Sequence, residues 1–224
     1  MGKILIFPVL WYIFGNPFIA LIVFLILIYF LDRRFVGLLP NVFRPAQLAR
    51  KTSRLRADLR LNPHDFSARH ELARVLMERR KYREAHSLLE ELHRAVPESA
   101  EVMAELAICC FHLRNFEQGG RMLAAAAEAS PRVKYGEPYL AAGEALAGVD
   151  PGKAAEYLET FRSIQSSSCK GYYRLGQVYG ALGRKDLARE AFQEAVNAFR
   201  VLPRYRRKPE RRWYVLAKWK LMTL

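Results

Sequence analysis

Between residues 44 and 202 the apolar positions recur three and four apart and the polar ones fill the gaps, the alternation that winds a chain into amphipathic helices. The clearest stretch comes last. Leu175 and Tyr179 share one helical face, and Ala188, Phe192 and Ala195 share another, with Gly183 between them where the first helix must stop. Gly176 and Ala188 are small, so two helix backbones can pass closely there. Further upstream, Leu48, Leu55, Leu59 and Leu61 give residues 44–62 an apolar side, and Pro63 ends that helix. Residues 4–31 follow a different pattern: 28 consecutive uncharged, mostly apolar residues between Lys3 and Asp32.

The helical pattern repeats. Pro63, Pro97 and Pro131 lie 34 residues apart. At that offset Leu72-Ala73 falls on Leu106-Ala107, Tyr82 on Phe116, Ala85 on Gly119 and Leu89 on Leu123. Four repeats are expected, over residues 66–97, 100–131, 135–168 and 169–202. The third is degenerate. Ala154, Leu158 and Phe161 mark its second helix, but Gly143, Gly148 and Pro151 weaken its first half, and its register needs one extra residue near 131–135.

The period, together with Tyr172, Leu175, Gly176, Tyr179, Gly183, Ala188, Phe192 and Ala195, resembles the tetratricopeptide repeat, with Tyr172 standing where the family has Trp. The resemblance implies an all-α fold, a right-handed solenoid of helical hairpins over residues 63–202. Residues 35–62 form a basic linker and a capping helix before it, and residues 203–224 a basic and aromatic capping helix after it. It also implies a concave groove lined by the first helix of each hairpin. Carried over position by position, the groove holds Ser67, His70, Arg74 and Met77; Glu101, Ala104, Ile108 and Phe111; Gly136, Tyr139, Gly143 and Leu146; and Lys170, Tyr173, Gln177 and Gly180. Phe111, Tyr139 and Tyr173 are its candidate aromatic anchors. Each of these positions reads equally well as a helix position without a ligand. The Lys/Asn clamp that chaperone-binding relatives close on a carboxylate is missing.

An apolar run of this length exceeds the ~20 residues of a membrane-spanning helix, so residues 1–34 are expected to anchor the chain in a membrane. Either one tilted span covers residues 4–31, or Asn16 caps a shorter span beginning at Pro17 behind an interfacial or re-entrant segment. The layout resembles bacterial membrane-anchored members of the family.

Charge sharpens the picture. The chain carries a formal +14, of which residues 32–62 hold +6 and residues 200–220 hold +8, while residues 63–199 come to −1. A basic flank beside an apolar anchor places the repeats on the cytoplasmic face of a bacterial membrane and attracts anionic lipid head groups. The second flank contains Arg204, Arg206, Arg207, Lys208, Arg211 and Arg212 ahead of Trp213, Tyr214 and Trp219. It reads as a helix closing the last repeat, as a surface contact with the membrane, or as a nucleic-acid contact for which no recognition motif speaks.

Catalytic and metal-binding signatures are missing. Three cysteines, two of them adjacent at Cys109-Cys110, make no disulfide framework, and the five histidines show no zinc spacing. No cofactor is called for, and phosphate-loop, nucleophile-elbow and metalloprotease patterns are absent from the sequence. The expected function is a non-enzymatic, membrane-anchored scaffold that holds a protein partner in its groove. A membrane-associated nucleic-acid binder and a self-assembly module are the alternatives, and the oligomeric state is open.

Overall fold

Short polar side chains start the helices. Asp65 accepts a hydrogen bond from the Ala68 N–H at 2.9 Å, Ser99 from Val102 at 3.4 Å, Asp150 from Lys153 at 3.0 Å and Ser168 from Gly171 at 3.2 Å. Each satisfies one of the donors that a helix leaves open at its first turn. The computed structural model describes residues 11–31 and 43–224. From residue 43 onward it runs α2 (Arg44–Leu61), α3 (Phe66–Glu78), α4 (Tyr82–Ala95), α5 (Ala100–His112), α6 (Phe116–Ala129), α7 (Glu137–Leu146), α8 (Pro151–Ile164), α9 (Cys169–Ala181), α10 (Lys185–Val201) and α11 (Arg204–Thr223), with α1 (Pro17–Leu31) before them. No strand occurs among the described residues.

The helices pack as hairpins, α3 with α4, α5 with α6, α7 with α8 and α9 with α10, and each hairpin packs on the next. This is an all-α solenoid. The central helix α5 is buried at every position from Val102 to Phe111, because α4, α6 and α7 all pack on it. The last hairpin closes where Gly176 lies under the Phe192 ring, with Ala188 wholly buried. Helix α2 covers the outer side of the first hairpin through Leu55 and Thr52.

Helix α11 covers the other end, packing on both α9 and α10. Its Trp213 ring lies 5.5 Å from that of Tyr173, and Tyr214 stacks on Phe199 at 4.3 Å. Arg207 donates from Nε to the Leu202 carbonyl at 2.7 Å and from a terminal nitrogen to that of Arg200 at 3.0 Å, capping carbonyls that the end of α10 leaves open. Glu210 accepts the Lys170 N–H at 3.1 Å, so the first turn of α9 is capped locally by Ser168 and across the helix interface by α11.

Three of the four hairpin turns share one geometry. Arg80, Arg114 and Gly183 have φ of 59°, 63° and 73°, and the next residue's N–H reaches back five residues to a carbonyl at 2.9 Å in each case: Lys81 to Leu76, Asn115 to Cys110 and Arg184 to Tyr179. This is the left-handed helix stop that glycine adopts freely and that strains other side chains by about 1–2 kcal/mol. Arg114→Gly is accordingly expected to raise the stability by about 0.5–1 kcal/mol after the extra chain entropy of glycine is subtracted. The urea midpoint should move up at unchanged slope, and a lower midpoint would show that the Arg114 side chain holds the turn in another way.

Between α6 and α7 the pattern loosens. Lys134, Tyr135 and Gly136 all take positive φ, at 47°, 53° and 80°, in a short turn of 3₁₀ helix (Val133–Gly136). α7 begins 37 residues after α5, and α9 only 32 after α7.

The apolar N-terminal run corrects the membrane-spanning expectation. Its helical residues 11–14 stop at Gly15, which has a φ of 61°; Asn16 then accepts the Phe18 N–H at 2.9 Å, and Pro17 opens α1. The 15 residues of α1 extend about 22 Å, short of the ~30 Å hydrocarbon core. Among the described residues no helix is long and apolar enough to cross a membrane. The single tilted span, the shorter span from Pro17 and the cytoplasmic-face placement that rested on them are therefore set aside. Residues 4–10 and most of the 35–43 linker lie outside the described residues.

Candidate partner-binding groove

The first helices of the hairpins carry a ladder of charge centred on one carboxylate. Glu105, on α5, has 0% of its surface exposed. Its Oε2 meets His70 Nε2 at 2.7 Å, and its Oε1 accepts from Arg74 Nε at 2.8 Å and from Lys134 Nζ at 2.6 Å. Arg74 also contacts Glu101. Burial alone would raise the Glu105 pKa, but hydrogen bonds from His70 and Lys134 and the Lys134 charge outweigh it and hold the group at about 2. Glu105 thus ties α3, α5 and the left-handed turn before α7 together as a carboxylate. One hairpin further on, Glu144 of α7 accepts from Lys170 Nζ at 3.0 Å and from Arg174 Nε at 2.8 Å, and Arg174 donates on to Gln177 at 2.9 Å.

Two clefts open along this ladder. The larger, about 610 Å³, is lined by Arg74, Met77, Arg80, Tyr82, Glu105, Ile108, His112, Lys134, Glu137, Leu140, Glu144 and Lys170 among others. A second, about 350 Å³, is lined by Glu144, Arg174, Gln177 and neighbouring residues of α7, α8 and α9. Its floor needs Gly143, where a Cβ would come within 2.5 Å of Leu158.

The sequence-derived positions divide into two groups. Arg74, Met77, Ile108 and Lys170 line the larger cleft and Gln177 the smaller, while His70 and Glu101 flank the Glu105 network. Two of the three aromatic anchors are corrected by their surroundings. Phe111 is 1% exposed and packs near Tyr157 and under Gly119, and Tyr173 is 5% exposed between Phe192 and Trp213. Neither presents a face to a partner. Tyr139 is partly buried and turns toward Tyr157 of the second helix in its own hairpin. Ala104 is fully buried and Ser67 exposed, and neither lines a cleft.

Glu105, Lys134, Glu144 and Arg174 were not marked by family register. Glu105 did carry a signal: it is the one charged residue in the otherwise apolar run from Val102 to Phe111. The Trp213 ring lies within the molecule's own packing, with the Arg174 guanidinium 5.1 Å from its centroid. The cysteines are packing residues, since burial pushes Cys109 and Cys169 up to about 12 and Cys110 up to about 11 and keeps the thiols protonated. No cluster with the donors for a metal ion occurs among the described residues.

Stacked helical hairpins with a charged inner face define an α-solenoid of the kind that presents an extended binding surface. Residues 76–137 and 170–200 match two family models, both described as tetratricopeptide repeat. Over these residues the chain carries tetratricopeptide repeats. A search of curated proteins returns no match. Solved structures of the same fold include MamA, at 19% identity and a TM-score of 0.58 over 72% of this chain and 96% of that one. A MamA fragment from Desulfovibrio magneticus RS-1 gives 16% and 0.59 over 70% and 89%. YrrB, described as a TPR protein with an unusual peptide-binding site, gives 18% and 0.54 over 78% and 85%.

Proposed function

We propose that this chain is a non-enzymatic scaffold that holds an extended segment of a protein partner in the cleft between α3, α5, α7 and α9. The observation that carries the reading is the preorganised charge ladder. Glu105 and Glu144 hold Arg74, Lys134, Lys170 and Arg174 in place around an apolar strip of Met77, Ile108 and Leu140, so a bound chain would meet polar groups already oriented for it. Proteins of this class generally work by binding rather than by catalysis, and a structural relative is described as having a peptide-binding site. The basic C-terminal helix supports the reading indirectly, because Arg207 and Trp213 are engaged in closing the solenoid.

The test is selection of binders from a random dodecapeptide library against the full chain, with affinities then read by fluorescence polarisation. Met77→Asp combined with Leu140→Asp is expected to weaken the selected peptides at least tenfold, while Arg121→Asp on the outer helix α6 leaves them unchanged. Circular dichroism checks that the double variant stays helical. Equal binding by the folded double variant would place the peptide elsewhere and end this reading.

A further inference from the structure

Most charged groups in the larger cleft are already engaged. Arg74 is held by Glu101 and Glu105, Lys134 by Glu105, Lys170 by Glu144, and Glu78 by Arg44 at 3.0 Å. A ligand carboxylate that took one of these cations would have to displace a carboxylate bound to it, and in the case of Glu105 would strand a buried charge. Two groups lining the same cleft have no ion-pair partner among the described residues, the cation Arg80 and the carboxylate Glu137. The same cleft is also lined by the apolar Met77, Ile108 and Leu140.

We infer that Arg80 and Glu137 set the specificity of the groove: Arg80 takes an acidic side chain of the bound segment, Glu137 a basic one, and an apolar side chain lies between. The inference rests on the groove reading above and adds the chemistry of the partner. The two groups are presented from fixed positions. Arg80 sits at the left-handed stop of α3, where the Lys81 N–H bond to Leu76 locks the turn, and Glu137 opens α7 directly after the left-handed Gly136. His112 stacks on Tyr82 at 3.9 Å and lines the cleft near Arg80. Burial lowers its pKa against the opposing charge of Glu144, helped by the charges of Lys170 and Arg80, which favours the neutral imidazole and leaves Arg80 as the cation to receive the acid. A guanidinium can grip a carboxylate with two parallel hydrogen bonds and rejects a cation by repulsion, which makes it a discriminating contact. Arg114 provides an internal control, having the same repeat position and backbone conformation as Arg80 but lying outside the residues that line this cleft.

The experiment repeats the dodecapeptide selection on the full chain and on its single variants, reading residue enrichment at each peptide position. Wild type is expected to enrich Asp or Glu at one position and Lys or Arg at another, on either side of an apolar residue. Arg80→Gln should abolish the acidic enrichment, keep the apolar one, and weaken the wild-type-selected peptide about tenfold. Arg80→Glu should convert the acidic preference to a basic one, and Glu137→Gln should remove the basic preference. Arg114→Gln should change neither. Wild-type binders without an acidic preference, or an acidic preference that survives Arg80→Gln, would overturn this inference and leave the groove reading standing. A wild-type selection that yields no binder would overturn both.

Discussion

Glu105→Gln is expected to lower the stability of the folded chain by about 3 kcal/mol at pH 7. The carboxylate is wholly buried and its ion-pair partners hold its pKa down at about 2, and breaking such a buried pair from one side costs about 3–5 kcal/mol. Glutamine keeps the shape but cannot neutralise Arg74 and Lys134, which are left facing each other across one amide. The sign of the pH dependence follows from the direction of the shift. The folded state holds the proton less tightly than the unfolded chain, so the stabilisation is complete above about pH 4.5 and disappears as pH falls toward about 2. Urea titrations of the two proteins should therefore differ most at neutral pH and converge at the acid end. Curves that stay parallel from pH 7 to pH 2.5 would mean that Glu105 contributes packing and no charge.

Gly176→Leu is expected to cost about 3 kcal/mol or more, and to do so within the last hairpin. A Cβ at Gly176 would already lie 2.7–2.9 Å from three atoms of the Phe192 ring, and that ring is 2% exposed with Tyr173 beside it, so it has little room to retreat. Overpacking a filled core usually costs about 1–3 kcal/mol, and here the added branch meets a rigid ring. Hydrogen exchange should speed up in α9, α10 and α11, with α3 and α4 much less affected, because repeat arrays transmit strain mainly to adjacent units. Thermal unfolding unchanged from wild type would show that α9 and α10 do not cross at this glycine.

The hairpins were legible because they follow from local pattern alone. Leu175, Tyr179, Ala188 and Phe192 sit where the helical period puts them, and Gly183 stops its helix as a glycine in that place should. The stops at Arg80 and Arg114 were illegible for the converse reason, since arginine gives no hint of a left-handed backbone. The groove was half legible. Register within a repeat identifies which positions face inward, but not which of them the next hairpin covers. Phe111 and Tyr173 are inward positions that neighbouring aromatic rings cover. Glu105 stood out as a charge in an apolar run, yet its partner Lys134 lies 29 residues away on an irregular turn whose path the period does not predict. Along the N-terminal run, counting apolar residues gave a length that the Gly15-Asn16-Pro17 break divides.

Helix α11 has a consequence for growth of the array. A solenoid of identical hairpins offers its last pair as a landing surface for another pair, whether from its own chain or from a second copy, and in that sense it behaves as a polymer with a live end. Trp213 against Tyr173, Glu210 at the first turn of α9 and Arg207 on the carbonyls of α10 occupy that landing surface with a single helix. The outward side of that helix carries the exposed Tyr205, Trp219 and Met222 among lysines and arginines, in place of the small residues that a further hairpin would need for close packing. At this end the last hairpin is covered by α11 instead of being left bare as a landing surface.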